Sequence, residues 1–271
     1  MKRPEILLNT KPNPLEKIRK MLIQRLNMDN SWLIGLDGLT ILVDPWLEGT
    51  EIDFFPWFNT QWHRTKPLDY SDLPKFDAVL ITQKYPDHYH KVTLKKLNPS
   101  LVIVPSSIEK NIKKLLPEAE IISLGKKSDF FQRNGVKINF FASSRLIDPI
   151  YDALLISDEK ESLFLATHGY FFQQTEKISK LPIKILICPF NEFQLPFFLG
   201  GTISPGLKGI LHLSEKLNPE FIVATHDEDK HAKGLVIKTA KITKNSNDAL
   251  NKIDILNNKI LEIIDYKPVI L

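Results

Sequence analysis

The chain has 271 residues, of which 43% are hydrophobic and 25% charged; it can bury a sizeable core and is too apolar for a disordered chain. A formal net charge of +4 is spread over interspersed lysines and acids, as in Glu109-Lys110-Asn111-Ile112-Lys113-Lys114, which argues against nucleic acid as a partner. A single cysteine, Cys188, excludes an intrachain disulfide and fits a reducing, cytoplasmic compartment, and no stretch reaches the roughly 18 to 20 apolar residues of a membrane span.

Taken in chain order, Leu15, Ile18, Leu22 and Leu26 recur at helical spacing, which predicts a docking helix over 15–26 within an N-terminal helical extension of about residues 1–28. Ser31–Ile34 and Leu39–Val43 read as strands joined through Leu36-Asp37-Gly38, a hairpin signal, and the second runs into Asp44-Pro45. Residues 45–75 form a long connection carrying Trp46, Trp57 and Trp62. From Asp77 strands and helices alternate: strand 78–82, helix 91–97, strand 101–104, helix 107–115 and strand 120–123. Strands follow at 135–142, 153–156, 163–166 and 185–188, then an aromatic loop from Phe198 to Pro205, a helix over 206–216 and a strand at 221–224. No linker divides the chain, so one domain spanning 1–271 is expected, an α/β (α+β) four-layer αββα sandwich with two sheets face to face and helices outside.

Three apolar runs, Ala78–Thr82, Leu163–Thr167 and Phe221–Thr225, are followed at once by Gln83, His168 and His226. His88, His90, His168, His226 and His231 all fall shortly after these runs. Rigid buried strands that deliver polar residues at their ends are a common way to assemble a site. Asp87 and His88 are adjacent where a loop enters a helix, and carboxylate with imidazole suits zinc or iron. The same pair also reads as a helix cap with a surface histidine.

The order of Asn30-Ser31, Thr40-Ile41-Leu42-Val43-Asp44-Pro45-Trp46, Asp77 to His88 and Val223-Ala224-Thr225-His226 resembles the metallo-β-lactamase superfamily, in its broad metal-dependent hydrolase branch, over roughly residues 30–235. The family signature is a strand followed by Thr-His-x-His-x-Asp-His. Here it is degenerate: Gln83 and Tyr85 stand where the first two histidines belong, while Asp87 and His88 remain. The resemblance implies that the first metal site is lost, because a third histidine expected after the 138–142 strand is also missing from Ser143-Ser144. For the second site Asp87, His88 and His226 match as ligands, but Thr167 replaces the bridging aspartate, and His168, one position on, joins only if that turn is rearranged. Asp44 is expected to orient a ligand, with Gln83, Tyr85 and Thr167 in or beside the pocket.

One carboxylate and two imidazoles with an open position make the ligand pattern of a catalytic zinc and also of mononuclear non-haem iron. The expected function is therefore a hydrolase with at most one metal, zinc or alternatively iron, acting on an ester- or phosphoester-like small molecule. Aromatic loops at Trp46, Phe54, Phe55, Trp57, Phe58 and Trp62, and at Phe190, Phe193, Phe197 and Phe198, favour a hydrophobic substrate if they wall the site; otherwise they bury each other or an oligomer face. Two alternatives stay open: a catalytically inactive member without metal that binds a small molecule or protein partner, and an iron oxidoreductase using the same triad.

Overall fold

Strands that are apolar on both faces along most of their length belong where both faces of a sheet are covered. Leu39–Val43 and Ile183–Pro189 show how this chain meets that condition. Ile41, Val43, Ile185 and Ile187 join one core with their alternate side chains, whereas Leu42 joins a second core and Leu186 and Cys188 a third. The computed structural model describes residues 20–125, 129–142, 150–170 and 182–271.

The first sheet begins with β1 (Leu22–Arg25), β2 (Trp32–Leu36) and β3 (Leu39–Val43), an antiparallel meander. Its hairpin turns at Asp37 and Gly38, which take φ of 41° and 82°, the left-handed pair a tight two-residue turn requires. Next come β4 (Thr50–Asp53) and β5 (Asn59–His63), then β6 (Ala78–Leu80), α1 (Lys91–Leu97), β7 (Leu101–Pro105), α2 (Glu109–Leu115) and β8 (Glu120–Leu124). β6, β7 and β8 extend the sheet in parallel from β3, and β19 (Val269–Ile270) closes its other edge against β1.

The second sheet holds β9 (Phe130–Arg133), β10 (Val136–Phe141), β11 (Ala153–Ser157), β12 (Ser162–Leu165), β13 (Ile183–Pro189) and β16 (Phe221–Thr225), with β12, β13 and β16 parallel. Inner faces of both sheets share one buried cluster, from Ile34, Ile41 and Leu80 to Ile156, Leu165 and Ile187. Helices α1 and α2 cover the outside of the first sheet through Leu94 and Ile112, with Leu116 just after α2. Ile210 and Leu213 of α3 (Leu207–Leu217) cover the second, with Leu250 of α5 (Asn247–Asn251). The αββα sandwich is thus as expected.

Two small sheets sit beside these. β4 and β5 pair with β17 (Lys230–Lys233), and β14 (Glu192–Gln194) lies between β15 (Thr202–Pro205) and β18 (Lys241–Thr243); a short α4 (Leu235–Thr239) follows β17. The long connection after Asp44 therefore carries a hairpin that joins residues far along the chain.

One expectation needs correction. The helix predicted over 15–26 does not include Leu22–Arg25, which form β1; residues 1–19 lie outside the described residues. Leu22 and Leu26 are spaced by four, which satisfies a strand period of two as well as a helical one, and Met21 and Ile23, on the alternate face, point into the inter-sheet core. Backbone pairing to β2 and to distant Ile270 decides the outcome.

Candidate metal centre

Parallel strands of both sheets end at the same side of the sandwich, where Trp32 Nε1 donates to Thr225 Oγ1 at 3.1 Å and the His226 amide donates to the Asp29 carbonyl at 2.9 Å. Asp44, fully buried at the end of β3, accepts from the Thr82 amide at 2.7 Å and from Thr82 Oγ1 at 2.5 Å. Its second oxygen also lies 2.7 Å from His88 Nδ1. That contact fixes the His88 ring and leaves Nε2 facing inward, the arrangement by which a carboxylate orients a metal-binding imidazole.

His88 Nε2 meets His168 Nε2 at 3.2 Å, and the His226 ring stands over both, with centroids 5.0 Å from His88 and 4.4 Å from His168. One nitrogen from each of these three histidines lies within 4.8 Å of the other two, so the cluster can hold a metal ion. A second group within the same limit comprises Asp29, Asp87 and His226. The predicted Asp87, His88 and His226 are therefore neighbours, with Asp87 Oδ1 3.9 Å from His88 Nε2, but His226 is shared between two clusters. His168 does reach the centre. Its turn is closed by a Gly169 amide to Ala166 carbonyl bond of 2.8 Å, and Gly169 takes φ of 78°, where Cβ would meet Pro205 Cγ at 2.8 Å.

The donors fit a metal. His226 Nε2 is buried with no hydrogen-bond partner, and neutral imidazoles are what an ion such as zinc or iron requires. Burial holds His226 well below the ordinary histidine range, and burial with neighbouring His88 pushes His168 down to about 3. Burial also opposes charge on His88, but Asp87 and Asp44 outweigh it and raise that ring.

The remaining expected site residues take supporting places. Gln83 is buried and its Nε2 donates to the Ile150 carbonyl while reaching Thr167 Oγ1 at 3.4 Å, so it ties two loops together where the family has a ligand. Thr167 is buried beside it, and Tyr85 lines the adjoining cavity. His90 caps α1, accepting from the Thr93 amide at 3.3 Å, and His231 is exposed against Trp62; neither lines the cavity. The expected gap at Ser143-Ser144 lies outside the described residues.

Sequence reasoning missed three charged residues. Asp29 is fully buried, and Lys230 Nζ lies 3.0 Å from its Oδ2 and 3.8 Å from Asp87 Oδ2. Glu51 of β4 is 2% exposed, with neither carboxylate oxygen hydrogen-bonded. Only one signal pointed here, the cluster of short polar residues Asn27, Asp29, Asn30 and Ser31 between two apolar segments. Asn27 Oδ1 accepts from the amides of Asp29, Asn30 and Ser31 at 2.9 to 3.0 Å, which fixes this loop.

A cavity of about 180 Å³ adjoins the cluster. Its lining combines Asp87, His168, His226 and Lys230 with apolar side chains that include Phe58, Phe193, Leu195 and Val236. Of the aromatic loops, Phe54, Phe58 and Phe193 line it, Trp46 is buried, and Phe55 stacks on Trp57 at 5.8 Å. Phe197 and Phe198 are 95% and 80% exposed.

A family model described as a beta-lactamase superfamily domain matches residues 27–226. The chain belongs to the metallo-β-lactamase superfamily. None of the curated proteins matches it by sequence. Within the superfamily fold, a possible metal-dependent hydrolase from Veillonella parvula is similar at 15% identity and a TM-score of 0.68, covering 93% of this chain and all of that one (100%). The isothiocyanate hydrolase from Delia radicum gut bacteria shares 17% identity at a TM-score of 0.63, over 92% of this chain and 98% of that one. CmlA, a diiron β-hydroxylase from Streptomyces venezuelae, shares 14% at 0.63, over 93% of this chain and 54% of that one. At such identities the likeness is one of fold, and chemistry has to be argued from the centre itself. Among the described residues no helix is long and apolar enough to cross a membrane.

Proposed function

We propose that this superfamily member is a hydrolase with one zinc ion held by His88, His168 and His226, acting on an ester or phosphoester whose apolar part occupies the adjoining cavity. The observation that carries this reading is the convergence of three buried imidazoles, one of them braced by Asp44. A zinc ion bound there would supply Lewis acidity to polarise a carbonyl or phosphoryl group and to acidify water.

The chain's own groups do the rest. Asp44 keeps the His88 Nε2 lone pair aimed inward, and Gln83 pins the loop of Ile150 against the turn that carries His168. Asp53 lines the cavity, and burial together with Asp87 pushes its carboxyl up to about 6. A carboxyl poised there can hold a proton for a leaving group near neutral pH. Phe58, Phe193, Leu195 and Val236 exclude water around the apolar portion of the substrate.

A second reading, an inactive member that binds an apolar small molecule, is favoured by Gln83 serving as a tether in a ligand's place. Zinc-loaded protein assayed with 4-nitrophenyl alkanoates of rising chain length and with bis(4-nitrophenyl) phosphate separates the two. The hydrolase reading predicts turnover that His226→Ala lowers at least about a hundredfold. Zinc retained without turnover on any of these substrates contradicts it, and a folded chain that retains no zinc favours the binding module.

A further inference from the structure

We propose that the ammonium of Lys230 occupies the place of a second metal ion, and that it is this side chain that keeps the centre to a single ion. The inference extends the single-metal reading above. It starts from the second donor group: oxygens of Asp29 and Asp87 and a nitrogen of His226 lie within 4.8 Å of one another. His226 Nε2, on a residue only 4% exposed, has no hydrogen-bond partner. Two buried carboxylates beside an imidazole with one unpartnered nitrogen are a cation site by composition.

The cation there belongs to the chain. Lys230 Nζ sits 3.0 Å from Asp29 Oδ2 and 3.8 Å from Asp87 Oδ2, and its side chain is 6% exposed. Its position is fixed from several directions. Lys230 pairs with His63 across the β17–β5 ladder, and the preceding Asp229 accepts the Thr65 amide at 3.1 Å through its carboxylate. Asp29 is held in turn, accepting the Glu228 amide at 3.2 Å on its other oxygen. Ammonium and zinc differ in how closely carboxylates approach them, about 2.8–3.0 Å against about 2.0–2.2 Å. Measured from the ammonium position at 3.0 and 3.8 Å, Asp29 therefore needs to close by about 1 Å and Asp87 by about 1.7 Å to bind an ion there. Because His226 belongs to both groups, an ion in the second would lie beside the first, the arrangement of a two-metal centre.

The test compares zinc content per folded chain, by elemental analysis after loading and desalting, in wild type, Lys230→Met and Lys230→Arg, with circular dichroism reporting the fold. Lys230→Met is expected to retain one equivalent more than wild type, and the double variant Lys230→Met/Asp29→Asn to lose it again. Lys230→Arg, which keeps the charge, is expected to match wild type. Equal zinc content in wild type and Lys230→Met overturns the proposal. This difference is independent of the wild-type count, which bears on the three-histidine site alone. If Lys230→Met does not fold, Lys230→Gln supplies the same comparison. A neutral variant that folds only when zinc is present supports the proposal, and one that stays unfolded with zinc contradicts it.

Discussion

Replacing Glu51 with glutamine should stabilise the protein at neutral pH and leave it unchanged in acid. Glu51 is 2% exposed and neither of its carboxylate oxygens has a hydrogen-bond partner. Burial, then the charges of Asp87 and Asp53, push its carboxyl from 4.5 up to about 9. The folded chain thus keeps the proton over a range in which the unfolded chain releases it. Stability from this group is full below pH 4.5, and is lost progressively as pH rises from there toward 9. At pH 7 the loss is set by the interval between the unfolded value of 4.5 and pH 7, provided the folded value exceeds 7; at about 1.36 kcal/mol per unit it comes to about 3 kcal/mol. Glu51→Gln keeps the shape of the neutral acid and cannot ionise. Urea unfolding of wild type and variant at pH 4, 5.5 and 7 measures the difference directly. We expect curves that coincide at pH 4 and separate to about 3 kcal/mol in favour of the variant at pH 7. A variant equal to or less stable than wild type at pH 7 would refute the reasoning, because Glu51 would then be ionised and paired in the folded state.

Other consequences follow from the supports of the centre. Asp44→Asn removes an acceptor that serves Thr82 twice and His88 once, so it should cost about 2–4 kcal/mol in urea unfolding and lower zinc affinity about 10- to 100-fold by titration calorimetry. Gly169→Ala places Cβ 2.8 Å from Pro205 Cγ at a φ of 78°; a loss of more than about 1 kcal/mol is expected, with weakened zinc binding because the His168 turn must shift. Asn27→Ala leaves the amides of Asp29, Asn30 and Ser31 without their shared acceptor, and a loss of about 3 kcal/mol or more should appear as a lowered unfolding midpoint.

Much of this fold is written locally. The strands Ala78–Leu80, Ser162–Leu165 and Phe221–Thr225 are legible, to within two residues at their ends, because burial on both faces demands apolar runs, and His168 and His226 face the centre because such strands end together. Asp37-Gly38 is legible because few other residues take that turn. Leu22–Arg25 was not, since a spacing of four satisfies both periods and its partners lie at Trp32–Gly35 and at Val269–Ile270. His168 was legible only as a conditional ligand, because its approach depends on the left-handed Gly169 and on Pro205 packed against it. Asp29 and Lys230 belong to no motif that the sequence marks. They meet across a separation of 201 positions, and only the pairing of β17 with β5 places the lysine.

The central claim is that three histidines form the metal site, and metal retention tests it most directly. Purified wild type and a variant carrying His168→Ala, each loaded with zinc or ferrous iron, desalted and examined by elemental analysis, give the comparison. The account predicts about one equivalent of zinc per wild-type chain and its loss in the variant with the fold intact. Preferential retention of iron would shift the chemistry from hydrolysis to oxidation. A folded wild-type chain that retains neither metal, or a His168→Ala variant that retains as much as wild type, would contradict the three-histidine centre.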